Sequence, residues 1–166
     1  TTSNNVAKIT DISVSENYTT SNENGYKVIK IGDENSTLTG EHTYTIKYKY
    51  NIGKDPLKNA DELYFNLIGN QWNVEIDKVT FSITMPKAFD ETLLGFSTGK
   101  MGSTDSSNVI YNVNGNTITG NTINSLKGEQ ALTVRLTLPE GYFVGASTNI
   151  ETYYVYVIML CIVFII

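Results

Sequence analysis

DELYFNLIGNQW, residues 61–72, combines an alternating strand pattern with a turn signal and the only tryptophan of the chain. Successive side chains of a strand point to opposite faces of a sheet. One face would hold Leu63, Phe65 and Leu67, and the other would hold Tyr64 and Asn66. The glycine-asparagine pair at 69–70 offers the positive φ angles of a turn. The stretch therefore predicts a half-buried β-strand that ends in a tight turn.

Trp72 allows two interpretations. A single large aromatic side chain in an all-β chain is usually buried, so we expect Trp72 to fill the space between two sheets. The alternative is a polar and aromatic ligand site on this stretch. Its candidate residues are Tyr64, Asn66, Asn70 and Trp72, with Tyr142 as a further aromatic candidate.

Period-two alternation recurs along the chain, and no helical period is sustained before the C-terminal segment. The clearest strand is predicted at residues 42–52, where tyrosines and isoleucines share one face and threonines and lysines share the other. Such a pattern is typical of an antiparallel sheet with one wet face. Further strands are predicted at 26–32, 72–76, 79–85, 109–113, 116–119 and 132–138. Polar or loose segments are predicted at 17–25 and 87–107.

Asn114-Gly115 is the strongest hairpin signal of the chain. A two-residue turn at this position pairs Val113 with Asn116 and Tyr111 with Ile118, so Tyr111 and Ile118 should share one face. Many short strands with turn signals between them predict an all-β fold. We expect an antiparallel two-sheet β-sandwich of immunoglobulin-like type, with a closed barrel as the alternative.

Composition excludes several classes of function. The 166 residues carry a formal net charge of −5, and Arg135 is the only arginine, so no basic face is available for nucleic acid. One histidine, His42, and one cysteine, Cys161, cannot supply the usual zinc ligands. Neither a Gly-x-Ser-x-Gly elbow nor a glycine-rich phosphate loop is present. We therefore expect no metal, no cofactor and no catalytic residues.

Carboxylates are the remaining catalytic option. Asp61 and Glu62 are adjacent, so on a strand they lie on opposite faces and cannot act together on one substrate. Other acidic residues could supply a partner, but nothing in the sequence selects one. A carboxylate-based hydrolase is therefore only the third hypothesis for the function.

The C-terminal segment is apolar without interruption from Tyr153 to Ile166. A membrane-spanning helix needs roughly 20 apolar residues, and tyrosines are enriched where such a helix meets the headgroups. We expect residues 149–166 to be the beginning of a truncated transmembrane helix, and residues 1–148 to form the β-sandwich domain. A buried final strand is the alternative.

An ordered set of segments resembles one known family. The segments are VIKIGD (28–33), LTGEHTYTIKY (38–48), DELYFN (61–66), GNQWNVEI (69–76), the strand ending at Met85-Pro86, and LPEGY (138–142). In this order they resemble the extracytoplasmic domain of the bacterial predicted membrane proteins grouped as domain of unknown function 2207. Family members commonly have tryptophan where this chain has Phe65, which keeps an aromatic side chain. The resemblance implies a β-rich domain outside the cell membrane that precedes transmembrane helices, with no established activity or catalytic residues.

Two non-catalytic functions follow from these observations. The first, which we favour, is a protein-interaction module at the cell envelope that uses exposed edge strands or aromatic side chains. The alternative is a cell-wall glycan-binding module, whose signature would be aromatic side chains on the solvent side of a sheet. Tyr64, Trp72 and Tyr142 are its candidates, because the tyrosines of strand 42–52 lie opposite the lysine face.

Overall fold

A computed structural model describes residues 8–33, 35–51 and 57–144. In these residues the elements are β1 (Lys8–Val14), β2 (Tyr18–Glu23), β3 (Tyr26–Ile31), β4 (Ile46–Asn51), β5 (Ala60–Ile68), β6 (Thr80–Thr84), a 3-10 turn (Glu91–Leu93), β7 (Leu94–Gly99), β8 (Val109–Asn114), β9 (Thr117–Thr122) and β10 (Ala131–Pro139). Every strand pair is antiparallel. The predicted all-β, antiparallel architecture is therefore confirmed. The predicted transmembrane segment, 149–166, lies outside the described residues.

Two three-stranded sheets hold the core. The first core sheet has the strand order β5-β10-β7, and the second core sheet has the order β6-β9-β8. Their inner faces meet, since the ring centroids of Phe81 on β6 and Phe96 on β7 lie 5.0 Å apart. The central strand β10 buries its alternate residues, which are Leu132, Val134, Leu136 and Leu138. The outward positions between them are polar, as the strand period requires.

The N-terminal part forms two two-stranded sheets, β1-β4 and β2-β3. Strands β2 and β3 are joined by Asn24 and Gly25, whose φ angles of 50° and 82° are those of a type I′ turn. The prediction of a polar loop at 17–25 is therefore wrong. The strand predicted at 42–52 begins only at Ile46. The rings of Tyr50 and Phe65 lie 5.8 Å apart, so β4 contacts β5.

The β8–β9 hairpin turns one residue later than predicted. Val113 pairs with Ile118 and Tyr111 pairs with Gly120, so the loop residues are Gly115 and Asn116. Of these two, only Gly115 has a positive φ, 62°, which is the pattern of a type II′ turn. The pairing moves by two residues along β9, so Tyr111 and Ile118 still face the same side.

Two strand predictions are wrong: one strand was missed at β7, and one was predicted at 72–76 where none forms. Strand β7 lies inside the segment predicted as loose, 87–107, because Gly95 and Gly99 obscure its alternation. Conversely, residues 72–76 form no strand, and only Ile76 makes an isolated bridge, with Leu126. Six strands thus form the two core sheets, and β7 completes the first of them.

Candidate functional site

The outer face of the first core sheet carries a polar and aromatic surface, which we name the Tyr64 face. Its residues are Glu62, Tyr64 and Asn66 on β5, Thr133, Arg135 and Thr137 on β10, and Ser97 on β7. Tyr64 stands directly opposite Arg135, and its side chain is strongly exposed, at 64%. On the other flank of Arg135 is Gly95, where a side chain would meet open space. One exposed aromatic ring and one exposed guanidinium therefore lie on neighbouring strands at the centre of this face.

Hydrogen bonds within the Tyr64 face fix the groups around the tyrosine. The Nε–H of Arg135 donates to Oε1 of Glu62 at 2.8 Å, and the arginine side chain is 65% exposed. A guanidinium has five N–H donors, so this ion pair leaves donors for another acceptor. The hydroxyl of Thr133 donates to Oδ1 of Asn66 at 2.8 Å. The face is thus an ordered set of polar groups around an exposed ring.

Asp61 and Glu62 lie on opposite faces of β5, as predicted. Glu62 belongs to the Tyr64 face, whereas Asp61 is buried on the inner side. Its Oδ2 accepts a hydrogen bond from the backbone N–H of Phe143 at 2.7 Å. The two carboxylates therefore serve different contacts and do not face a common cleft.

Trp72 is on the surface, so the prediction that it fills the core is wrong. Its side chain is 48% exposed in the loop that follows β5. The backbone of Trp72, and not its ring, makes the contact that holds this loop. The N–H of Glu129 donates to the carbonyl oxygen of Trp72 at 2.8 Å. Close packing at Gly128 adds to this, since a Cβ there would lie 3.2 Å from the carbonyl oxygen of Asn73. Asn70 is half-buried in the same loop, beyond the end of β5.

Two exposed ion pairs lie close to the loop that carries Trp72. Lys127 contacts Glu75, and Nζ of Lys100 lies 2.9 Å from Oε2 of Glu129. The hydrogen bond from Lys127 lowers the pKa of Glu75, and the hydrogen bond from Lys100 lowers the pKa of Glu129. Both ion pairs therefore favour the charged form of their carboxylate.

Trp72→Ala should lower the free energy of unfolding by less than about 1 kcal/mol, because about half of the side chain already faces water. The measurement is urea denaturation of the full chain in mild detergent, followed by circular dichroism. Ile76→Ala is the matched control, since this neighbour is buried and should lose roughly 2–5 kcal/mol. A loss of about 3 kcal/mol or more for Trp72→Ala would place the indole in the core after all.

Tyr142 lies in a contact that we name the Tyr142 clasp, formed by Asp61, Lys87, Tyr142 and Phe143. Only 3% of Tyr142 is exposed. Its hydroxyl donates to the carbonyl oxygen of Lys87, and Nζ of Lys87 lies 4.8 Å from the ring centroid. Burial raises the pKa of the Tyr142 phenol. Because its ring and hydroxyl are both used within the domain, Tyr142 is not a surface platform for a ligand.

The structure brings two of the five sequence candidates together, Tyr64 and Asn66. Asn70 and Trp72 lie past one end of β5, and Tyr142 is held beside Asp61 at the other end. Arg135 was not among the site residues predicted from sequence. Its alternation with Val134 and Leu136 does place it on the outer face of its strand, but only the β5–β10 register sets it opposite Tyr64.

The only histidine takes no part in the Tyr64 face. His42 is exposed in the segment before β4, and its Nε2–H donates to the carbonyl oxygen of Thr39 at 3.1 Å. Within residues 8–33, 35–51 and 57–144, no group of three or more histidine, cysteine or acidic side chains is placed to hold a metal ion.

The sequence of residues 2–138 matches the family described as predicted membrane protein (DUF2207) N-terminal domain. The chain belongs to this family. The matched part of this DUF2207 domain includes every residue of the Tyr64 face, whereas Tyr142 lies beyond it. No match was found among curated proteins or among solved structures. In the part of the DUF2207 domain that the structure describes, no helix has the length and apolar content needed to cross a bilayer.

Proposed function

We propose that this domain is a non-catalytic protein-interaction module that binds another protein of the cell envelope through the Tyr64 face. The observation that carries the proposal is the exposed Tyr64 ring directly opposite the exposed guanidinium of Arg135. Tyrosine and arginine, together with tryptophan, are the residue types that dominate the binding energy of protein interfaces.

The polar groups around Tyr64 support the same proposal. Interface hot spots are surrounded by polar contacts that exclude water without adding much energy. The pairs Arg135–Glu62 and Thr133–Asn66 are already ordered before any partner binds. A preorganised face loses little conformational entropy on association, which favours binding.

Attachment to the membrane and the side on which the domain lies are parts of the proposal. The family is described as predicted membrane proteins, and residues 153–166 are uniformly apolar. The resemblance implies the extracytoplasmic side, and the lack of cysteine in residues 1–160 agrees with it. An immunoglobulin-like assignment is also proposed, with support from two facing antiparallel sheets.

Site-specific photo-crosslinking in membranes of the source organism tests the proposal. A photoreactive phenylalanine derivative replaces Tyr64 in the full chain, and the same group replaces Thr119 on the outer face of the second core sheet as a control. We expect one discrete protein adduct from position 64 and none from position 119. Equal labelling from both positions would mean that the Tyr64 face is ordinary surface.

Tyr64→Ala should then weaken binding to the purified crosslinked protein by about 2 kcal/mol or more, roughly thirty-fold in Kd. The affinity should fall because the exposed ring of Tyr64 is lost. Calorimetry or surface plasmon resonance measures the Kd. Thr119→Ala serves as the matched control and should bind like the unaltered chain. Unchanged affinity in Tyr64→Ala would remove the Tyr64 face from the interface.

A cell-wall glycan-binding module is the second candidate, favoured by the exposure of both Tyr64 and Trp72. Exposed aromatic rings can stack on sugar rings, and neighbouring amides and hydroxyls can hydrogen-bond to sugar hydroxyls. Co-sedimentation of the full chain with purified wall sacculi tests it. Saturable pelleting that is lost in a folded Tyr64→Ala, Trp72→Ala double variant would favour this candidate over the protein interface.

A further inference from the structure

The outer edge of β8 presents backbone groups that no strand in the described part of the chain uses. The N–H of Met85 donates to the carbonyl oxygen of Asn116, and the N–H of Thr122 donates to the carbonyl oxygen of Val79, so even-numbered residues of β9 bond towards β6. Odd-numbered residues of β9 therefore bond towards β8, where their partners are Ile110, Asn112 and Asn114. It follows that the N–H and C=O groups of Val109, Tyr111 and Val113 point to the free edge. In the described residues, no backbone group outside β9 bonds to β8.

This edge lacks the features that usually protect sheet edges. Native edge strands are blunted by charged side chains, proline or covering segments. No charged residue and no proline lies between Asp105 and Lys127, although the whole chain carries a formal charge of −5. The other edges differ: β6 is flanked by Lys78 and Pro86, β5 carries two acidic residues, and on β7 the N–H of Thr98 donates to Asp105. Among the edges of the two core sheets, as far as the structure describes them, only that of β8 thus lacks such protection.

The side chains of β8 are also only partly covered. Ile110 on the outer face is 59% exposed, and Tyr111 on the inner face is 43% exposed. The Tyr111 ring lies 5.0 Å from that of Phe96, so it sits at the open margin of the hydrophobic core. A strand added next to β8 would extend the hydrogen-bonded ladder and cover this margin at the same time.

We infer that β8 pairs antiparallel with β8 of a second copy of this chain, about a two-fold axis at Tyr111. Facing residues must point to the same side of the sheet, so Tyr111 opposes Tyr111 of the second copy and Val109 opposes its Val113. These are the residues whose backbone groups point outward, so each facing pair exchanges both N–H···O bonds. Ile110 then lies across from Asn112 of the second copy on the outer face.

Charge selects a second copy as the occupant. Two chains of the same negative charge repel each other, so their closest approach costs least where neither has a charge, which is the β8–β9 hairpin. A basic strand from another protein would find no acidic side chain on this hairpin to pair with. The self-pairing also places valine opposite valine and tyrosine opposite tyrosine, which suits cross-strand packing.

The first test measures the mass of the full chain in mild detergent by sedimentation equilibrium. We expect a dimer for the unaltered chain, and a dimer constant at least tenfold weaker for Ile110→Lys, which adds a charge at the edge. Thr119→Lys is the matched control, because it adds the same charge to the same outer face on the central strand β9 and should remain dimeric. A monomeric unaltered chain, or an Ile110→Lys variant that stays fully dimeric, would overturn the inference.

The second test reads the register through disulfide formation in a Cys161→Ser background. Chains with Ile110→Cys are mixed with chains carrying Asn112→Cys, whose Cα atoms should lie about 4.5 Å apart across a non-hydrogen-bonded pair. We expect a disulfide between the two kinds of chain, and none when Thr119→Cys replaces Asn112→Cys. A mixed disulfide with a different protein in membranes, in place of the second copy, would overturn the homodimer.

Discussion

Tyr142→Ala should lower the free energy of unfolding by roughly 3–5 kcal/mol, the range for removal of a buried aromatic side chain. The Tyr142 ring is almost fully buried, makes an edge contact with Phe143 at 5.1 Å between centroids, and lies beneath the ammonium of Lys87. Its removal also takes away the hydroxyl that binds the Lys87 carbonyl. Urea denaturation of the full chain in mild detergent, followed by circular dichroism, measures the loss.

Tyr142→Phe is the matched control for this change. It keeps the ring and removes only the hydroxyl, so we expect a loss of about 1 kcal/mol, or somewhat more if the carbonyl stays unsatisfied. Losses of equal size in the two variants would show that the hydroxyl, not the ring, holds the Tyr142 clasp. A loss below about 0.5 kcal/mol in Tyr142→Ala would mean that the clasp contributes nothing to stability.

Gly120→Ala should destabilise the domain by about 2 kcal/mol or more, since an added methyl group has no room. Gly120 pairs with Phe81 on β6, and a Cβ at this position would lie 2.5 Å from the Phe81 ring and 2.6 Å from the carbonyl oxygen of Ile110. The ring can rotate, but the carbonyl belongs to the backbone of β8 and cannot yield without disturbing the ladder. Thermal unfolding of the full chain measures the effect as a lowered Tm.

Gly95→Ala is the matched control, and we expect it not to destabilise the domain. Gly95 is also inside a strand, but a Cβ there meets nothing within 4 Å. Alanine is less flexible than glycine in the unfolded chain, so the change should be neutral or stabilise by about 0.5–1 kcal/mol. Equal Tm values for Gly120→Ala and Gly95→Ala would contradict the close packing of Phe81 on Gly120.

The strand alternation of β5 and β10 was predictable from sequence because both faces of these strands have a clear chemistry. The hairpin of β2 and β3 was predictable by the same rule that identified Asn114-Gly115, since Asn24-Gly25 is an equally good turn signal. Strand β3 was predicted at 26–32, but β2 was missed because it is largely polar and exposed along its whole length. For this hairpin, the Asn24-Gly25 turn signal is therefore a better indicator than hydrophobic alternation.

The hairpin at Asn114-Gly115 shows what a turn dipeptide leaves open. Glycine suits the second central position of a type I′ turn and the first central position of a type II′ turn. In the structure Gly115 takes the first central position of a type II′ turn. The side-chain amide of the next residue, Asn116, donates to the carbonyl oxygen of Met85, which directly follows β6. A tertiary hydrogen bond of this kind cannot be derived from the local sequence.

The Tyr64 face was predictable only in part. Period two placed Tyr64 and Asn66 on one side of β5, which the structure confirms. The position of Arg135 opposite Tyr64 depends on pairing between residues far apart in sequence, and no local pattern reports that register. Trp72 was misplaced for a different reason: burial of large aromatics is a tendency of the residue type, whereas backbone contacts with Gly128 and Glu129 set the course of this loop.

The Tyr142 clasp also lies directly after β10, where a pull on residue 144 would enter the described part of the domain. Tension applied through residue 144 meets the hydrogen bond from Phe143 to Asp61 and the buried Tyr142 ring before it reaches β10. Strand β10 is bonded to β5 on one side and to β7 on the other. Because these bonds lie perpendicular to the strand, a pull along β10 loads them together in shear instead of opening them one by one. A force directed along the axis of β10 is therefore shared between β5 and β7.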